Sequence, residues 1–142
     1  MKMNLIFILI CAFSCNLNKN DSSNIEITND SFKNILIQFV NDNSKFENEK
    51  VKITSVSIWV NQNDTTIGLY ANKKLKSEYY IGCIKNKNEE IYFYSNSKNS
   101  FIGLYNITAE PKLKVDNASD YRETYSVFYN YKMGILEQQK PE

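Results

Sequence analysis

The chain has 142 residues and contains no histidine, an absence that removes many common catalytic and metal-binding arrangements. Serine and cysteine hydrolases commonly use an imidazole as the general base, and most zinc sites need histidine and cysteine ligands in number. With three cysteines and four glycines, the sequence also has no Walker-type phosphate loop and no Gly-x-Gly-x-x-Gly motif. We therefore expect a protein that is not an enzyme and that holds no metal and no cofactor.

An excess of basic side chains is also missing. The chain has 17 lysines and arginines against 16 acidic residues, and Arg122 is its single arginine. Proteins that bind nucleic acids neutralise phosphates with a basic stripe and favour arginine for contacts to bases. The sequence therefore predicts no nucleic-acid partner.

The N-terminus carries a targeting pattern. Lys2 precedes the apolar run 5–13, which is shorter than the roughly 20 residues that span a bilayer and is typical of a secretory signal. The next residues, Ala12-Phe13-Ser14-Cys15, resemble the bacterial lipobox, whose cysteine is acylated and becomes the new N-terminus. The same residues also fit an ordinary signal peptidase, which would release the domain without lipid.

These patterns predict a signal peptide over residues 1–14 and lipidation, with palmitate, at Cys15. Residues 15–24 are predicted to form a flexible spacer, because polar segment 16–24 has too little apolar surface to order itself. If Cys15 carries lipid, Cys83 has no disulfide partner in the mature chain, and we expect it to be a buried apolar residue of a strand.

The rest of the chain predicts one α+β domain over 25–137, followed by a disordered tail at 138–142. Five apolar residues between Phe32 and Val40 recur at the spacing of an amphipathic helix. This helix is predicted to pack on an antiparallel sheet of about five to six strands, since all later connections are short.

The predicted strands alternate apolar and polar residues between polar turns. Residues 58–60 are apolar on both faces, so a bulge or two-sided burial is expected there. The predicted ranges are 25–27, 51–60, 65–71, 78–85, 90–95, 101–107 (as a strand or a helical turn), 112–115 and a last, longest strand within 121–136.

Several of these features together resemble small lipoproteins of Bacteroidota. They are the lipobox, the polar spacer, Phe32-x-x-Ile35-x-x-x-Phe39, Asn63-Asp64-Thr65-Thr66, Tyr80-Ile81-Gly82 and a closing tyrosine-rich strand. The resemblance implies a location in the cell envelope and a fold type, and it carries over no activity. Residues 16–19 lack the acidic side chains of surface-exported members, so the periplasmic side of the outer membrane is favoured.

Acidic residues are the remaining candidates for acid–base chemistry without histidine. Asp116, Asp120 and Glu123 cluster in sequence, and Glu89 and Glu90 lie beside a predicted turn. We expect both groups to be solvated turn charges.

Tyrosines of two strands are candidates for a binding surface. They share one face within each strand and are amphipathic, as the side chains of protein interfaces often are. They would form this surface if they lay on the sheet face opposite the helix, and they would be core residues if they lay beneath it. The residues are Tyr92, Tyr94, Tyr125, Tyr129 and Tyr131.

The sequence thus predicts a membrane-tethered protein without enzymatic activity that binds or inhibits an envelope protein or a glycan. One alternative is a carrier of a small ligand, with a pocket lined by tyrosine and phenylalanine. A carboxylate-dependent hydrolase is a further alternative.

The lipid anchor gives the first testable prediction. The Cys15→Ala variant should leave the membrane fraction of the cells, because it removes the acylated sulfur, and membrane fractionation with a tagged chain measures this. A variant that stays in the membrane fraction as fully as the parent chain would contradict lipidation at Cys15.

Overall fold

The structure is a computed structural model that describes residues 23–42, 52–62, 64–71, 79–86, 88–97, 103–110 and 125–140. The predictions for Cys15, the signal peptide, the strand at 112–115 and the acidic group at 116–123 lie outside these residues. In chain order, the elements are β1 (Ile25–Ile27), α1 (Asp30–Asp42), β2 (Lys52–Val60), β3 (Thr65–Ala71), β4 (Tyr79–Asn86), β5 (Glu89–Ser95), β6 (Tyr105–Ile107), β7 (Ser126–Lys132) and β8 (Ile135–Gln138).

The predicted amphipathic helix is confirmed as α1. It begins after Asn29, whose side-chain oxygen accepts the backbone N–H of Phe32 at 2.9 Å, as an N-cap residue does. Its buried residues are Phe32, Leu36, Phe39 and Val40, which form one face of the helix. The helix is not the first element, because β1 precedes it.

Six of the described strands form one sheet in the order β4-β5-β2-β3-β7-β8. The prediction of a purely antiparallel sheet is wrong at one pair, because β2 and β5 run parallel. β4 pairs with β5 rather than with β3, so the β4–β5 hairpin joins the sheet as a unit beside β2. β1 and β6 form a separate two-stranded antiparallel sheet.

The helix and the small sheet both pack on one face of the large sheet, which we call the first face. Their side chains join one apolar cluster with residues of every strand from β2 to β5 and with β7. Phe93 of β5 contacts Tyr105 of β6, with ring centroids 5.4 Å apart. The opposite side of the large sheet is called the second face.

Asn24 fixes the outer strand of the large sheet, β4, through its carboxamide. Its Oδ1 accepts the N–H of Cys83 at 2.9 Å. Its Nδ2 donates to the carbonyls of Ala109 at 2.8 Å and Ile81 at 3.3 Å. Asn24 is only 3% exposed, and a β-carbon on Gly82 would overlap this carboxamide. The side chain therefore fits because position 82 is glycine, just after the irregularity in the β4–β5 register.

The folded domain begins earlier than the sequence predicts. Ser23 Oγ accepts the N–H of Lys85 at 2.7 Å, and the N–H of Asn24 donates to the carbonyl of Cys83 at 3.0 Å. The predicted spacer over 15–24 is thus wrong for its last two residues. Polar composition predicted disorder, but these two polar groups pair with the backbone of a distant strand.

The C-terminal part of the domain is a hairpin rather than the single long strand predicted within 121–136. Met133 and Gly134 both have positive φ, of 51° and 83°, which is the conformation of a two-residue type I′ turn. β8 follows this turn, and the N–H of Gln139 donates to the carbonyl of Phe128 at 2.8 Å. The predicted disordered tail at 138–142 is therefore wrong for Gln138 and Gln139.

The Asn24 interaction predicts a large loss of stability on truncation. Asn24→Ala leaves the Cys83 N–H and the Ile81 carbonyl without their side-chain partner, which should cost about 2–4 kcal/mol of unfolding free energy. Chemical denaturation of the purified chain measures this loss.

Asn34→Ala is the matched control, because Asn34 is exposed on α1 and its truncation should change stability by less than about 0.5 kcal/mol. In addition, Gly82→Ala should cost less in an Asn24→Ala background than in the parent chain. Equal costs in the two backgrounds would show that the two residues are not coupled.

Candidate functional site

The five candidate tyrosines do not form one surface. Tyr92 and Tyr94 lie on the second face, level with Ser55 and Ser57 of β2, and they are 4% and 1% exposed. Tyr129 lies opposite Ile67, which is part of the core under the helix. The predicted common surface is therefore wrong, because the register places the two groups on opposite faces.

The tyrosines of the C-terminal segment pack around the helix. Tyr125 stacks on Phe39 with ring centroids 5.5 Å apart, while Tyr129 and Tyr131 lie half-buried against the core. Burial raises the pKa of Tyr129, and the neighbouring Tyr125 and Asp42 raise it further. These contacts place Tyr125 and Tyr129 beside the C-terminal end of α1, next to Phe39 and Asp42.

The second face contains a compact cluster of polar aromatic residues. The Tyr80 ring lies 6.3 Å from that of Tyr92 and 5.9 Å from that of Tyr94, between centroids. Cys83 belongs to the same buried cluster and is 1% exposed, which confirms the prediction of a buried cysteine in a strand. Burial raises the pKa of Tyr80, and interaction with the Cys83 thiol raises it further.

An ion pair borders this cluster. Lys85 Nζ lies 2.9 Å from Glu90 Oε1 and 5.9 Å from the centroid of the Tyr92 ring. The Tyr92 hydroxyl donates to Glu90 Oε2. Burial first, and then this hydrogen bond, raise the pKa of Tyr92. Both oxygens of Glu90 are thus engaged in holding its neighbours, an arrangement suited to packing rather than to proton transfer.

Exposed apolar side chains gather instead at one end of the large sheet. Trp59 is the penultimate residue of β2, Tyr79 begins β4, Met133 occupies the β7–β8 turn and Ile135 begins β8. Their exposures are 47%, 51%, 93% and 60%. We call these four residues the apolar fringe. Between β4 and β8 it spans five strand spacings, or roughly 24 Å.

The sequence prediction missed this fringe at Trp59. Residues 58–60 were expected to form a bulge or to be buried on both sides, but β2 keeps a regular register with β3 through Val60. Ile58 therefore points into the core, and Trp59 points to the second face, where its Nε1 donates to Ser57 Oγ. Strict alternation from Val56 onward was the signal that could have found it.

The N-terminal segment reaches the sheet at the end opposite the fringe. Ser23 bonds to Lys85 and Asn24 to Cys83, so the chain runs antiparallel to β4 as it enters. β4 runs from Tyr79, in the fringe, to Asn86. Ser23, the first described residue, therefore lies near the Asn86 end, at the opposite end of the strand from the fringe.

Within the described ranges, histidine, cysteine and acidic side chains form no group of three or more that could hold a metal ion. The same part of the chain contains no helix with the length and apolar character needed to cross a membrane. Comparison of the chain with protein-family models, curated proteins and solved structures finds no match.

The buried tyrosines predict a loss of stability in alkali. The pKa values of Tyr80, Tyr92 and Tyr129 are raised in the folded state, so the unfolded chain loses these protons first, near pH 10. Stability should be unaffected by these groups below that pH and should fall as the pH rises above it. Denaturation midpoints between pH 8 and 11 measure this.

Tyr92→Phe should make the decline above pH 10 shallower, because it removes one of the three protons. Tyrosine absorbance at 295 nm provides an independent readout. Complete ionisation of all tyrosines near pH 10 in a chain that stays folded would contradict the burial of these hydroxyls.

Proposed function

We propose that this chain is a lipid-anchored protein of the bacterial envelope whose domain binds a partner protein, without catalysis, through the apolar fringe. The observation that carries the proposal is the exposure of four large apolar side chains, Trp59, Tyr79, Met133 and Ile135, at the same end of the sheet. The anchor rests on the signal-like segment and on Cys15.

The direction of the N-terminal segment supports this use of the fringe. A fully extended chain rises at most about 3.6 Å per residue, so lipidated Cys15 and folded Ser23 lie within roughly 29 Å of each other. Ser23 bonds to Lys85, near the Asn86 end of β4, so the tether joins the domain at the end away from the fringe and is long enough to leave the fringe clear of the bilayer. On such a tether, the fringe is directed toward other molecules of the envelope rather than into the bilayer.

The residue types of the fringe favour a protein partner. Tryptophan, tyrosine and methionine are enriched in protein interfaces, and the flexible thioether of methionine adapts to irregular surfaces. A glycan could stack on Trp59, but Met133 and Ile135 offer it no hydrogen-bonding side chain. We therefore place a protein ahead of a glycan as the partner.

The arrangement of the polar groups supports a role without catalysis. The Glu90 carboxylate is paired with Lys85 and with Tyr92, and Lys132 of β7 lies 3.5 Å from Asp64. The Glu90 contacts link β5 to β4, and the Lys132–Asp64 pair is an exposed surface pair that adds little to stability. The proposal would be overturned by turnover of a substrate that depends on one of these carboxylates.

Replacing a fringe residue should weaken partner binding. Ile135→Ser removes an exposed apolar side chain that an interface would bury, which should lower the yield of the main crosslinked complex about tenfold. The experiment crosslinks the tagged full-length chain in cells of its own host and quantifies the complex by mass spectrometry.

Ile107→Ser is the matched control, because Ile107 is 53% exposed, close to the 60% of Ile135, but lies outside the fringe. Melting curves of both variants verify that they are folded. Equal yields from the two variants, whether both reduced or both unchanged, would contradict binding through the fringe.

A further inference from the structure

The two outer edges of the six-stranded sheet differ in how their backbone groups are used. At the β4 edge, Ser23 and Asn24 bond to Lys85, Cys83 and Ile81. At the β8 edge, no strand of the described part of the chain lies beyond β8. Among the described residues, the β4 edge is therefore paired by the chain itself, while the β8 edge has no strand beside it.

The register of the final hairpin shows which groups face outward from β8. Lys132 lies opposite Ile135 across the two-residue turn, so these two residues exchange both backbone hydrogen bonds. The bond from the Gln139 N–H to the Phe128 carbonyl follows the same alternation, in which odd-numbered residues of this strand bond to β7. The N–H and carbonyl groups of Leu136 and Gln138 therefore point away from β7, two residues apart, as a strand partner requires.

We propose that the outer edge of β8 binds an extended segment of the partner protein as an added strand. This inference rests on the proposed function and specifies the class of partner. A row of backbone donors and acceptors matches another backbone in extended conformation, as in known strand-addition complexes. Ile135 belongs to both the fringe and β8, so the added strand and the fringe form one continuous contact.

The charges of β8 favour a different protein over a second copy of this chain. With Leu136 opposite its own copy, Ile135 would face Glu137 of the other chain, twice, which sets an apolar side chain against a carboxylate. With Leu136 opposite Gln138, the two Glu137 carboxylates would face each other. With Gln138 opposite its own copy, Ile135 would face position 141 of the other chain, beyond the end of β8, and its exposed side chain would have no strand partner. Like charges directly opposite one another destabilise a strand pair.

The exposed side chains of β8 specify the chemistry of the added strand. Ile135 and Glu137 share the second face, since Glu137 lies opposite Asn130, which lies opposite Thr66. The segment should therefore carry an apolar residue opposite Ile135 and a basic residue opposite Glu137, with one residue between them.

The test selects a phage-displayed library of random ten-residue peptides against the full-length chain in detergent micelles. Enriched peptides should contain an apolar and a basic residue separated by one position. Their binding should fall at least tenfold for Gln138→Pro and by less than twofold for Gln138→Ala. Proline removes the outward N–H of position 138 and suits an edge strand, whereas alanine removes only the side chain.

Further comparisons separate this inference from the proposed function. Equal binding by the proline and alanine variants, both folded by melting curve, would overturn the added strand. If Ile135→Ser still lowers the yield of the crosslinked complex in cells about tenfold, the proposed binding through the fringe stands even though the added strand does not. If selection yields no peptide that prefers the parent chain to Gln138→Pro, the added strand is also overturned. Enriched peptides that lack the apolar–basic pair would overturn the assigned chemistry.

Discussion

The fold depends on a single carboxamide buried where three segments of the chain meet. Asn24 offers both a donor and an acceptor, and it uses them on Cys83 and Ile81 of β4 and on Ala109 beyond β6. An aspartate could not donate, and an alanine could do neither. Because Gly82 leaves room for this group, the irregular outer strand is held and the small β1–β6 sheet is joined to the large one.

The two faces of the large sheet have different compositions and different packing partners. The first face packs against α1 and the small sheet around an apolar core. The second face carries hydroxyl, thiol and aromatic groups, including Tyr92 and Tyr94, in close contact. Its ordered polar groups constrain the β4–β5 hairpin from the side away from the helix. Most of the exposed large apolar side chains lie at one end of the sheet, with Ile107 and Tyr125 elsewhere.

Local patterns predicted much of the fold, and contacts between distant residues account for most of the errors. The helix followed from the spacing of Phe32, Leu36 and Phe39, and the bounds of β3 were exact at Thr65–Ala71. The parallel pairing of β2 with β5 and the closure of β4 by Asn24 depend on partners dozens of residues away. The predicted tyrosine surface was wrong because the alternation of residues shows which side chains share a face within one strand. It does not show which faces of two different strands lie on the same side of the sheet. The turn at Met133-Gly134 was a local signal that the long-strand interpretation overlooked.

The position of Asn24 also sets an order of events during synthesis. Its side-chain partners lie 57, 59 and 85 residues further along the chain, so they leave the ribosome long after Asn24 does. The N-terminal segment cannot be locked against β4 until most of the protein has been made. Contacts of such large sequence separation carry a high loop-closure entropy and slow folding. The full set of bonds that fixes Asn24 in the domain therefore becomes possible only after the chain has been made as far as Ala109.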